Sequence, residues 1–456
     1  MEKTRTKGVV RSRCQQILAG CIILSLSGSV LGQSPLGASS EPKTRYGQQR
    51  QDFEIRTGVS HSDNIGRDAL EQSGTFASAG LSTNLVGERN RVAWALSGLM
   101  DYYSYNDSAY KDEPVGAVVG QATIDVVEDR LTWDFMGNYG QLRSDAFAPE
   151  GPDNRESISS LEMGPALTLP VSATTVFSAR GRLAQRQSGG AGAVDSELTS
   201  VETGFFRYLD PLKQFGVFVS KREVEFDANQ VPGYEVESAF FRYQQELKEG
   251  SVTLEMGSNQ LERQGADSDS GLFTRLNLRT AFGTRSTLNL YAIQDFQDSA
   301  YSLRDGLDPS FGGGAGAQVA LTSDPMERRG FGFDAELRGR RMSLVLAVET
   351  AQESYKSDQE PDRDTINYRV SFAREILPDV RAGVTLSHRM EEFEGQADSA
   401  KDLTGKLSLR YRLSRTLDLE AAYQRWNREG GTAVDKELNE TQFLLSLNYA
   451  PWTRRS

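Results

Sequence analysis

The side chains that could do chemistry in this chain are few and scattered. Only two histidines occur, His61 and His388. His61 stands beside Ser60, Ser62 and Asp63, the residue types of a base-assisted nucleophile. His388 shares parity with Val384, Leu386 and Met390, which places it on an apolar face. Ser62, Asp63, Asn64 and Asp68 offer oxygens to a hard cation, but without the spacing or the glycine of a dedicated calcium loop. Gly312-Gly313-Gly314-Ala315-Gly316 is not followed by the Lys-Ser/Thr of a phosphate loop, and no HExxH, GxSxG or Walker pattern is present. These residues read as loop and surface positions. The chain reads as a non-enzyme, with no cofactor and no metal site.

The charged residues follow a stricter rule. Arg180, Arg182, Arg242, Arg275, Arg279, Arg338, Arg369, Arg381, Arg410 and Arg412 each fall on the polar parity of an alternating segment. Asp101, Asp134, Glu255, Asp334, Glu336 and Glu420 do the same. Side chains two apart on a strand point the same way, so these sixteen residues would line one face of a sheet. Singly, they solvate that face and pair across strands for little energy. Together they predict a wet lumen dominated by arginine, an inner basic track for anionic solutes or an acidic glycan. Phe206, Tyr208 and Trp426 would add rings that stack on sugars.

The elements that must hold them are strands. In Arg91–Tyr105, Val92, Trp94, Leu96 and Met100 occupy one parity and Ala93, Ala95, Ser97 and Asp101 the other. A membrane-crossing strand needs about 9–11 residues and ends in aromatics. Tyr102, Tyr103 and Tyr105 supply such a girdle. The same phrase recurs down the chain, for example where Leu403, Leu407, Leu409 and Tyr411 alternate with Thr404, Lys406, Ser408 and Arg410.

Connectors alternate between tight turns such as Gly87–Asn90, Glu128–Arg130 and Pro378-Asp379, and longer polar loops such as Ser62–Gln72, Ser144–Glu156 and Ser299–Glu327. Nine tight turns and ten long loops predict an antiparallel up-and-down transmembrane β-barrel of about 18–20 strands, with both ends on the tight-turn side. The longest loop, Ser299–Glu327, is predicted to cover or enter the pore. A soluble all-β secreted protein is the competing fold.

Residues 1–32 read as a cleaved signal peptide, with a basic start and an apolar run from Ile17 to Leu31. No later apolar run is long enough for a spanning helix. Both cysteines, Cys14 and Cys21, lie inside it, so the mature chain can form no disulfide. Its removal takes away five basic residues and Glu2, deepening the formal charge from −12 to −16. An acidic chain of this kind is a poor nucleic-acid binder. Residues 33–51 then read as a flexible periplasmic lead-in, 52–450 as the barrel and 451–456 as a tail.

Gly58-Val59-Ser60-His61-Ser62-Asp63-Asn64-Ile65 resembles the first strand and loop of the EpsL-like, beta-barrel porin type 2 family of outer-membrane barrels. The stretch from Arg91-Val92-Ala93-Trp94 to Asp101-Tyr102-Tyr103 is similar too, so recognisable text covers residues 52–105. These barrels are encoded with exopolysaccharide synthesis and export systems. The resemblance implies polysaccharide secretion, with a surface polysaccharide and periplasmic export components as partners beside the outer-membrane lipid. Pro451–Ser456 follows the last strand, in place of the terminal Phe usual in outer-membrane proteins. Composition and spacing imply only a pore. A sugar or anion uptake porin and a structural or adhesive barrel without an open channel remain the alternatives.

Overall fold

The computed structural model describes residues 50–106, 110–189, 195–227, 231–283, 285–302, 322–356, 360–395, 399–430 and 437–451. The expected signal peptide, the lead-in up to 49, Gly312–Gly316 and the tail beyond Pro451 lie outside the described residues.

Twenty strands form one sheet. The first five are β1 (Arg50–Ser62), β2 (Gly74–Arg89), β3 (Val92–Asn106), β4 (Glu113–Val127) and β5 (Leu131–Leu142). Then come β6 (Glu156–Pro170), β7 (Thr175–Ser188), β8 (Ser196–Asp210), β9 (Lys213–Phe226) and β10 (Tyr234–Leu247). β11 (Gly250–Arg263), β12 (Asp269–Phe282), β13 (Ser286–Gln297), β14 (Met326–Arg338) and β15 (Met342–Tyr355) follow. The last five are β16 (Arg363–Leu377), β17 (Val380–Phe393), β18 (Ala400–Arg412), β19 (Leu417–Glu429) and β20 (Leu438–Tyr449). Each strand pairs antiparallel with its sequence neighbour, as Arg242↔Glu255 joins β10 to β11. β1 also pairs with β20, from Ile55↔Tyr449 to Ser62↔Gln442, and closes the sheet. Closure leaves no edge strand, so every backbone donor in the wall can be met within it. The architecture is a closed, antiparallel, all-β barrel. Tight turns and long loops alternate at opposite ends, as the connector rhythm predicts.

Directly paired residues share a face, so the register sorts every side chain. One continuous row runs Phe372↔Val384↔Leu407↔Tyr423↔Phe443↔His61 across β16 to β1. It is apolar until it reaches His61, and Leu407 and Phe443 are more than half exposed. Leu183, Phe205, Val217, Leu386 and Leu445 are likewise exposed on this outward face. A soluble protein does not carry so wide an apolar surface. At midplane depth such a band is worth keeping apolar, because an Arg or Lys there costs about 2–4 kcal/mol.

Two sequence expectations change. Tyr102 is exposed on the outside, but Tyr103 and Tyr105 share the parity of Asp101 and turn inward. There they pack with Phe76 and Tyr110 under the β1–β2 loop, with Phe76 centred 5.2 Å from the Tyr103 ring. Only alternate residues of an aromatic run can face lipid, so the girdle there is Tyr102 alone. The barrel also begins at Arg50, ahead of the expected boundary at 52.

Candidate translocation lumen

All sixteen charged positions singled out from the sequence lie on the face opposite the apolar rows. Gly80 and Gly164 explain two of their contacts. Arg56 on β1 and Asp101 on β3 are separated by β2, and Gly80 stands in register between them. Over that gap Arg56 Nη2 donates to both Asp101 oxygens, at 2.9 and 2.7 Å. A Cβ at position 80 would collide with Asp101 Oδ1. In the same way Asp134 on β5 meets Arg182 on β7 at 2.5 Å across Gly164 of β6. Glycine on the polar parity lets charges two strands apart touch.

The remaining positions fall into wall groups. Arg242 reaches Glu255 at 2.5 Å and Glu202 at 2.9 Å, and Arg180 lies 3.9 Å from Glu202. Arg275 meets Asp295 at 2.8 Å. Arg410 contacts Glu420 at 2.8 Å and Glu54, on the far side of the β1–β20 seam, at 3.4 Å. Toward the tight-turn end, Arg338 pairs with Glu336, Arg381 donates to Ser343 Oγ, and Arg412 stands 4.0 Å from Asp379. Arg279 and Asp334 both register with Asn289, and Arg369 with Ser387. The sixteen therefore ring the lumen and do not form one cluster.

The predicted basic track is corrected. Glu54, Glu162, Glu202, Asp295 and Glu353 occupy the same inward face, each within reach of a guanidinium. Interior arginines are matched by interior carboxylates, which the parity reading undercounted. The result is a polar, charge-compensated surface. The predicted stacking rings are also engaged. Phe206 is buried with Phe218, Phe240 and Phe273, and the Arg67 guanidinium lies 4.9 Å over the Trp426 ring. His61 points outward, with Nδ1 3.1 Å from Thr75 Oγ1, while Ser60 and Ser62 are buried on the inner face. No Ser-His pair forms there. The candidate cation ligands are spent on their own turn: Asn64 Nδ2 donates to the Asp68 carbonyl, the Asp68 amide donates to Asn64 Oδ1, and Ser62 Oγ donates to Glu440.

Sequence reasoning missed what bridges the long-loop end. The β5–β6 connection, Arg143–Arg155, folds inward and crosses to the opposite wall. Arg143 donates from Nη2 to Glu391 Oε1 at 2.6 Å and from Nη1 to Oε2 at 3.0 Å. Glu391 on β17 also meets Arg389 at 2.5 Å and Arg363 at 3.5 Å, and is fully buried. The Phe147 ring packs tilted against Phe393, with centroids 4.5 Å apart, and its carbonyl accepts from Arg428. On the near side the β1–β2 loop joins in, Arg67 donating to the Glu150 carbonyl and pairing with Glu440 at 2.7 Å.

The loop expected to do this, Ser299–Glu327, lies in part outside the described residues. Its described start, Ser299–Ser302, is a helical turn seated on the near wall. Tyr301 packs there with Leu261, Phe296 and Tyr234, and Asp298 accepts from Arg186 and Tyr234, both at 2.6 Å. Position and parity alone cannot reveal a contact such as Arg143–Glu391, whose partners stand 248 residues apart.

A closed wall, apolar outside and charged inside, has one physical home. The chain is an outer-membrane β-barrel. No family model matches it and no curated protein does. Among solved structures it is similar to the siderophore receptor PirA from Acinetobacter baumannii, with a TM-score of 0.43 and 9% identity over 88% of this chain and 80% of that one. It is similar to the FrpB iron transporter from Neisseria meningitidis (F3-3 variant), with a TM-score of 0.42 and 10% identity over 88% and 81%. It is also similar to the outer membrane protein opdK from Pseudomonas aeruginosa, with a TM-score of 0.34 and 10% identity over 88% and 99%.

Proposed function

We propose that this barrel carries a hydrophilic solute across the outer membrane, and that the solute is a surface polysaccharide on its way out. One observation supports the transport reading above the others: charged pairs line the inner face around the whole circumference, from Arg56–Asp101 to Arg410–Glu54. A barrel that served only as an anchor or adhesin would gain stability by filling its interior with apolar side chains. Barrels of 16–18 strands already enclose an aqueous channel, and this one has twenty.

Export rests on the resemblance of residues 52–105 to exopolysaccharide-associated barrels. It also suits an outer mouth held shut by the Arg143–Arg155 loop, which would seal the periplasm until polymer arrives. Compensated charge would let a hydroxyl-rich chain slide without strong trapping. The experiment is deletion of the protein in its host. Polymer trapped in the periplasm is the expected result. Normal surface polymer with slowed sugar uptake would replace export by uptake, for which an inward loop acting as a constriction is the favouring feature.

A further inference from the structure

We infer that one wall of the lumen carries a binding site for a saccharide unit, in a cavity between β6 and β13 roofed by Tyr301. This rests on the transport reading and names where the passing chain would be held. The cavity has a volume of about 320 Å³, at the small end of the ~300–1,000 Å³ range of ligand pockets. It suits a mono- or disaccharide segment.

Its chemistry selects hydroxyls over a simple anion. The guanidiniums are matched, Arg242 by Glu202 and Glu255 and Arg275 by Asp295, so no large net positive charge faces the cavity. What stays unmet is hydrogen-bonding capacity of both signs. Arg180 Nε, Arg222 Nε and Asn277 Nδ2 are buried donors with no protein acceptor among the described residues. Gln214 gives its amide nitrogen to Gln244 and keeps Oε1 as a buried acceptor with no protein donor among the described residues. A sugar hydroxyl both donates and accepts, and can meet either kind. An ionised carboxylate only accepts.

Flat surfaces complete the site. The Arg222 guanidinium lies 4.3 Å from the centroid of Tyr301, and Arg275 lies 5.5 Å from it on the same ring system. Arg242 stacks 4.4 Å over Phe218. These fixed guanidinium planes and the half-buried Tyr208 offer faces to the C–H side of a pyranose.

The test is titration calorimetry on the full-length barrel, folded in detergent, with maltohexaose, cellohexaose, xylohexaose and hexagalacturonate as probes and citrate as the simple anion. At least one neutral hexasaccharide should bind, hexagalacturonate should gain no more than about threefold over it, and citrate should not compete. Arg180→Gln and Tyr301→Ala should each weaken saccharide binding at least tenfold. Tyr301 lies outside the barrel wall, and retained heat-modifiable gel mobility would certify both variants as folded. Binding of citrate, binding of none of the four hexasaccharides, or binding unchanged in both folded variants would overturn the site. Conductance of the Arg143→Met variant in planar bilayers, with the loop across the mouth released, separates the two ideas. Current without saccharide binding removes the site and leaves the channel, whereas binding without current leaves the site and removes the channel.

Discussion

Arg143 and Glu391 form a two-hydrogen-bond ion pair although seven strands separate β5 from β17 by the shorter way round the barrel, β4 to β1 and then β20 to β18. Arg143 is 4% exposed and Glu391 not at all. A pair this dry gains little over an apolar contact but is costly to break singly, at about 3–5 kcal/mol. It holds the Arg143–Arg155 loop across the mouth.

Arg143→Met should therefore release that loop. Single-channel conductance should rise several-fold, and Glu-C should begin to cut after Glu150. Glu391→Gln should act in the same direction but less strongly, since Arg363 keeps its pair with Glu353. Unchanged conductance in both variants would mean the loop does not obstruct the path.

Gly80→Val should part Arg56 from Asp101. The added side chain has no room beside Asp101 Oδ1, and overpacking of this sort costs about 1–3 kcal/mol. Urea unfolding from lipid vesicles, followed by tryptophan fluorescence, measures the loss. Ser78→Val, two residues away on the same face, serves as the comparison.

Leu407→Arg places a cation in the middle of an outward apolar row and should destabilise the barrel in lipid by about 2–4 kcal/mol. Ser408→Arg adds the same group on the inward face and should cost far less. A larger loss for Ser408→Arg than for Leu407→Arg would mean that the two faces have been assigned the wrong way round.

The seat of the Ser299–Ser302 turn should resist mild acid. Burial pushes the Asp298 carboxyl up, but Arg186, the Tyr234 hydroxyl and the Tyr301 amide together hold it below the usual range. A depressed carboxylate contributes stability that is complete above its unfolded value, about 3.9, and fades as pH falls through its lower folded value. Proteolysis near residue 299 should thus stay slow from pH 7 to 5 and accelerate only below about 4. Asp298→Asn should be cut readily throughout.

The wall was legible because its cause is local. A strand facing lipid on one side and water on the other must alternate, and Leu403–Arg412 alternates with only Gly405 interrupting its apolar parity. The same rule placed Asp101, Arg182 and Arg410 on one face. It misjudged Tyr103 and Tyr105, where the aromatic run was read as a block although parity still held. It also misjudged the charge of the lumen, because Glu54, Glu202 and Asp295 share the inward parity of the arginines they neutralise. Gly80 and Gly164 were signals available in the text: a glycine on the polar parity between strands with opposite charges marks a pair that reaches across. The mouth was not legible. Arg143 follows the end of a strand and Glu391 lies 248 positions on, and no local period relates them.

The β1–β20 seam has a consequence for how the chain can be rearranged. β1 lies against β20 just as every other strand lies against its neighbour, with Ile55 facing Tyr449 beside the tight turns. The wall is therefore a hoop in which the order of strands matters and the starting point does not. Joining Ala450 to Arg50 through a short tether, and opening the chain within the β19–β20 connection, would keep every ladder and make β20 the first strand. Such a permuted chain should fold into the same barrel, with its new ends displayed among the long loops.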